Sequence, residues 1–513
     1  MADRAVQISP AFWLSLTIVA LIGGSAAMVA LRADSFALAP HDWAALRFTV
    51  LQASLSAGLS GLLAIPTARA LFRRRFPGRD GFVRLMAAPF VLPVVVAVLG
   101  LLAVFGRNGP LNLGLAALHL PEVSIFGLQG VVIAHVFFNL PLATRMLLHG
   151  WQAIPAERFR LAQSLGMPPS AQFRHLELPL LRAQLPGILV MIFLICLTSF
   201  AIALTLGGGP KASTLELAIY QALRFDFDLG RAALLATLQF ALCAAVTLMA
   251  ARFTMAQGFG AGVASHQVMD GPSGWRRGFD AVMLAAVAVF LMTPLLGVVV
   301  KGVPGLQDLP AGIWYALLRS VAVALLSAVI ATAAAVSLAQ AVAKGQKWTE
   351  TVAMLPMAAS SLVLGTGLFL ALHPFLRVET VALPVTVVVN ATLTLPYLFR
   401  LLLPELRQIQ QDYGRLTASL GLPPTAALRY VVLPRLARPL GYGTGLAAAL
   451  SMGDLGVIAL FAGDSGATLP LLVQRLMGAY RMEQAAAAAL ILVGASYALF
   501  WAFDRIGSHY ADA

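Results

Sequence analysis

Residues Arg160–Pro179 read RLAQSLGMPPSAQFRHLELP, and residues Arg415–Pro434 read RLTASLGLPPTAALRYVVLP. Extended to Leu181 and Leu436, the two stretches share 12 identities in 22 positions at a constant offset of 255. Ser164 and Ser419, Leu165 and Leu420, Gly166 and Gly421, Arg174 and Arg429, and Pro179 and Pro434 fall in register. Upstream, the same offset pairs Leu140, Pro141 and Arg145 with Leu395, Pro396 and Arg400. The chain is one unit written twice. An interfacial connector accounts for one such stretch, but not for the same glycine, prolines and arginines at the same spacing in two.

Each stretch predicts a short helix, a sharp turn and a second short helix. Gly166 and Gly421 can supply the left-handed residue that ends the first helix, and the proline pair that follows cannot continue its hydrogen-bond ladder. The second helix runs to Pro179 or Pro434. In the first copy Phe173 and Leu176 can lie against the membrane side, with Arg174 toward solvent or headgroups.

Around these stretches the chain is apolar: 513 residues, 59% hydrophobic and 11% charged, with mean hydropathy +0.85. Soluble domains carry about 25% charged residues, so this is membrane-protein composition. Apolar stretches of spanning length, about 20 residues each, cover 12–31, 46–70, 82–105, 124–148, 185–206, 232–254, 279–300, 313–342, 351–373, 381–403, 438–461 and 485–504. The first follows Arg4 and is too long for a signal peptide, so it reads as a retained anchor.

The net charge of +13 does not imply a nucleic-acid partner. Basic residues gather between alternate spans, as in Arg73, Arg74, Arg75, Arg79 and Arg84. That asymmetry puts both termini in the cytoplasm. Six spans per half put both doubled loops on that side too, as a parallel repeat. We read residues 1–256 as the first half with its loop at 152–184, 257–278 as a glycine-rich linker, and 279–513 as the second half with its loop at 404–437. A fused pseudo-dimer implies a pathway between its halves.

Chemistry-bearing motifs are missing. There is no G-x-x-x-x-G-K-[ST] phosphate loop, and GGGPKAS around Lys211 has the wrong spacing. The 8 histidines form no ligand pair, and Cys196 and Cys243 read as small core residues. The chain is predicted to be a conduit with no catalytic centre, metal or cofactor of its own.

Two other features suggest sites. Asp454, in LSMGDLGVIALF, falls inside the eleventh span, where a carboxylate should face a water-filled cavity or a partner. Gly453 and Gly456 would leave room beside it, and Ser199 is its counterpart. The alternative is a helix cap or an interhelical hydrogen bond. Between the fifth and sixth spans, YQALRFDFDLGR offers Asp226 and Asp228 either as a docking contact or as part of a self-packed loop.

The glycine, nine residues, an aliphatic residue, one residue and Leu-Pro resemble the EAA loop of ABC importer permeases. Here they are Gly166, Leu176, Leu178 and Pro179, then Gly421, Val431, Leu433 and Pro434. The named triplet is absent, being Arg160-Leu161-Ala162 and Arg415-Leu416-Thr417. Thr205–Phe240 and Gly453–Phe461 are in turn similar to the bacterial thiamine and thiamine pyrophosphate importer permeases. The resemblance implies an all-α polytopic type I importer fold in the bacterial inner membrane. It also implies two copies of an ATPase subunit, carrying ATP and Mg and seated on the doubled loops, and a periplasmic substrate-binding protein. Fused permeases for ferric iron share the layout. An ion-coupled secondary transporter would need coupling carboxylates within its spans, and this chain has few.

Overall fold

Apolar runs of this length can satisfy their backbone groups inside a bilayer only as helices. The computed structural model describes residues 10–33, 37–86, 88–209, 212–250, 252, 274–463 and 466–512. Among them 11 helices are long and apolar enough to cross a membrane; Trp348–Ala358 and Ser361–Leu372, bent by 89°, supply a twelfth span as a pair. No strand occurs among the described residues. Most of the linker, 257–273, and Lys211 lie outside them. The seventh span already begins at Trp275, inside the interval assigned to the linker.

Several spans are broken, and the breaks recur in both halves. The third stretch is Arg79–Leu85, Ala88–Val91 and then Val94–Phe105. Pro93 stands just before the last piece, where its fixed φ and missing N–H suit a helix start. Its counterpart in the ninth span is Ser361–Leu372, capped by Ser360, whose Oγ accepts from the Val363 N–H at 3.1 Å. The fifth span, Leu178–Leu197, stops before Thr198 and Ser199 and resumes as Phe200–Leu206. The eleventh, Leu433–Met452, stops before Gly453 and Asp454 and resumes as Gly456–Phe461. Short helices follow, Leu215–Arg224 and Leu469–Gly478. The first N–H of each is held by a hydroxyl from a distant span: Leu215 donates to Thr49 at 2.9 Å, and Leu469 to Ser320 at 2.8 Å.

The halves are interlocked. The first span, Pro10–Arg32, packs on Ser361–Leu372 of the second half, and the seventh, Trp275–Gly305, packs on Val94–Phe105 of the first. Small residues permit the crossings. A Cβ on Gly100 would collide with the Pro294 carbonyl, and one on Gly367 with the backbone of Ser25. Gly100 and Gly367 occupy the same position within their two 12-residue helices. One packing solution is thus used twice.

Candidate functional site

In the doubled loops Gly166 has φ +63° and Gly421 φ +60°. The Gly166 N–H donates to the Gln163 carbonyl and the Met167 N–H to that of Ala162, both at 2.9 Å. Gly421 donates to Ala418 and Leu422 to Thr417, both at 3.1 Å. This paired cap ends a helix when its C′ residue is left-handed. A Cβ on either glycine would meet nothing within 4 Å, so the glycines are required by backbone conformation alone. Each tip leaves two leucines exposed, Leu161 and Leu165 in one and Leu416 and Leu420 in the other. Arg160, Ser164 and Arg174, with Arg415, Ser419 and Arg429, are exposed as well.

Two expectations need correction. The second helix does not end at Pro179 or Pro434 but runs on into the membrane as Leu178–Leu197 and Leu433–Met452. A π-helical turn, Phe173–Glu177 or Leu428–Val432, precedes each proline. Its wider hydrogen bonding, with the Leu178 N–H reaching the Phe173 carbonyl, makes room for a ring that an α-turn would reject. The first helix also differs between copies. Leu128–Gln152 stops and Ala156–Ser164 restarts after Pro155, whereas Val378–Ser419 is continuous over 42 residues. The position equivalent to Pro155 is Gln410, which imposes no break.

The sequence reading missed Glu177. Its fully buried carboxylate accepts from Arg69 Nε at 2.7 Å and also from Arg73, tying the first loop to the second span. Amid apolar neighbours in LELP, nothing marked it out. Its counterpart is Val432, and the second loop is held differently, with the Arg435 guanidinium 3.8 Å from the Tyr413 ring centre.

Between the halves lies a cavity of about 220 Å³. The first half contributes Thr198 and its neighbours; the second contributes Ser360, Asn390, Tyr397, Ser451 and Asp454. Asn390 Nδ2 donates to Ser451 Oγ at 3.0 Å. One Asp454 oxygen accepts from the Gly456 N–H at 3.3 Å, so it caps the helix that restarts there; the other is buried without a hydrogen-bond partner. Asp454 therefore caps a broken helix, as one reading of the sequence allowed, and also lines the cavity. The glycines beside it leave no free space: a Cβ on Gly456 would collide with Ser361 Oγ, and one on Gly453 would come within 3.0 Å of Pro93. Ser199 flanks the matching break but does not line the cavity; Thr198 does. At the offset of 255, Asn390 and Ser451 correspond to His135 and Cys196. There Ser56 pairs with His135 Nδ1 at 3.3 Å and Asn139 with Cys196 at 3.3 Å, while His135 Nε2 is buried without a partner. Among the described residues, most of the polar cavity wall, and its one lining carboxylate, belong to the second half.

On the opposite side from the loops, Asp228 accepts from the Arg231 N–H at 2.9 Å, and Asp226 sits 3.5 Å from the Arg231 side chain. Both carboxylates hold their own loop together. Large aromatic groups are exposed beside them: Phe225 and Phe227 in one half and Tyr480 in the other. Phe227 and Tyr480 have φ +52° and +59°, a strained conformation for bulky residues.

Repeated, interlocked bundles of membrane-length helices, each with the same glycine-turned loop, define a two-half membrane component. Residues 60–256 and 329–510 match the family described as Binding-protein-dependent transport system inner membrane component, and the chain belongs to that family. It is therefore a multi-pass transport component rather than an enzyme. Over 491 residues it is 39% identical to the thiamine transport system permease protein ThiP of Salmonella typhimurium, covering 91% of this chain and 90% of that one. Identity to ThiP of Escherichia coli is 40% over 486 residues (90% and 89%), and to ThiP of Brucella abortus 38% over 512 residues (96% and 94%).

Proposed function

We propose that this chain is the membrane subunit through which thiamine or thiamine pyrophosphate enters a bacterial cytoplasm by alternating access. The observation that carries the reading is Asp454, a half-buried acidic residue that lines a cavity between the halves of a chain whose relatives are named thiamine permeases. Thiamine is an organic cation with aromatic rings, suited to a carboxylate beside the hydroxyls and amide of that wall.

The two tips, with Leu165, Gly166, Leu420 and Gly421 and the flanking arginines, seat in two copies of an ATPase subunit that holds the ATP and Mg; this chain binds no cofactor. Closure of those subunits moves the tips. Because each tip continues as helix into the fifth or eleventh span, that displacement reaches the breaks at Ser199 and Asp454. Tips and both termini lie on the cytoplasmic side. Asp226, Asp228, Phe227 and Tyr480 on the other side meet a periplasmic binding protein.

The test is uptake of labelled thiamine into proteoliposomes holding this chain with its ATPase and binding protein. Uptake should require ATP and both partners. Ion-driven uptake by the chain alone would overturn the reading, and ferric iron carried in place of thiamine would overturn its substrate.

A further inference from the structure

A second recess, of about 320 Å³, lies far from the cavity between the halves. It is bounded by the end of the second span, the first loop at Ser170 and Phe173, and the start of the seventh span. Four guanidinium groups line it, those of Arg69, Arg73, Arg74 and Arg276. Among the described residues two carboxylates pair with them: Glu177 takes Arg69 and Arg73, and Asp280 takes Arg74 at 2.7 Å. Arg276 has no carboxylate partner among the described residues and lies 6.0 Å from the Trp275 ring centre. The recess also receives the start of the 31-residue helix Trp275–Gly305. The helix dipole adds positive potential at that end. Trp275 and Phe279 are 77% and 53% exposed at the rim, as interfacial anchors are.

Surplus positive charge, a helix start and an aromatic rim at the basic face of a membrane bundle together fit a phosphate ester with a lipid tail. We propose that this recess binds the headgroup phosphate of an anionic phospholipid, whose acyl chains leave past Trp275 and Phe279. The lipid bridges the first loop to the seventh span, and so one half to the other. The second loop, with Val432 in place of Glu177, lacks this arrangement. Free phosphate offers the same chemistry without a tail and would leave the aromatic rim unused.

The test is lipid retention by the purified full-length chain, read by native mass spectrometry after exchange into phosphatidylcholine containing a little phosphatidylglycerol. The wild type should keep a bound phosphatidylglycerol that R276Q holds about fivefold less well and R276E less still. Millimolar inorganic phosphate should not displace it. Equal retention by wild type and R276E would overturn the proposal. So would displacement by phosphate, which would make the occupant a free anion. Arg276 is exposed, so these variants should fold, with circular dichroism as the check. The readout needs no cargo or ATPase and stands apart from the thiamine reading.

Discussion

At the scale of single residues, charge and conformation can be separated. Asp454→Asn keeps the cap shape but removes the charge at the cavity wall. Thiamine transport should fall at least tenfold while thermal stability and ATPase binding stay within error; transport kinetics beside a melting curve checks this. Gly166→Ala with Gly421→Ala adds atoms that touch nothing, so its cost is the left-handed backbone, roughly 1–2 kcal/mol per site. The double variant should insert normally and lose ATPase association, measured by co-purification. Glu177→Gln strips the buried carboxylate from two partly exposed guanidinium groups, at about 1–3 kcal/mol, below the cost of breaking a fully buried pair. We expect a clearly lowered melting midpoint, partly restored by Arg73→Gln in the same chain.

At the scale of elements, the repeated turn was legible because a left-handed C′ glycine and a following proline pair have a local cause. The π-turns ahead of Pro179 and Pro434 were not, since the residues that widen are ordinary helix formers. The break at Ser199 lacked a signal for a similar reason, since the hydropathy of Leu178–Leu206 runs on through the gap; at Asp454 only the carboxylate hinted at it. In the loop proposed for docking, acidic residues stood out in the sequence; in the fold they also cap and pair, and aromatics are exposed beside them. Phe227→Ala with Tyr480→Ala should raise the binding-protein concentration needed for half-maximal uptake several-fold. Asp228→Ala should instead loosen the start of the sixth span, at about 1 kcal/mol for a lost cap. Titrating binding protein into uptake assays distinguishes them.

At the scale of the whole molecule, each half lends its first span to the other, so the halves should hold together without their covalent join. A chain divided between residues 262 and 263 and co-expressed as two fragments should co-purify in detergent; recovery of separate halves would contradict the interlock. Gly100→Val with Gly367→Val should abolish that co-purification, because each added side chain meets backbone that cannot yield. Composition, span number, the internal repeat and the glycine turns followed from the sequence, because each depends on a residue's own chemistry or on neighbours within a turn or two of helix. Tertiary structure alone decided which spans cross between halves, that Glu177 is the buried clamp on the first loop, and that Asp454 rather than Ser199 lines the cavity. Those outcomes depend on residues a hundred or more positions apart, brought together by packing whose partners no local pattern names.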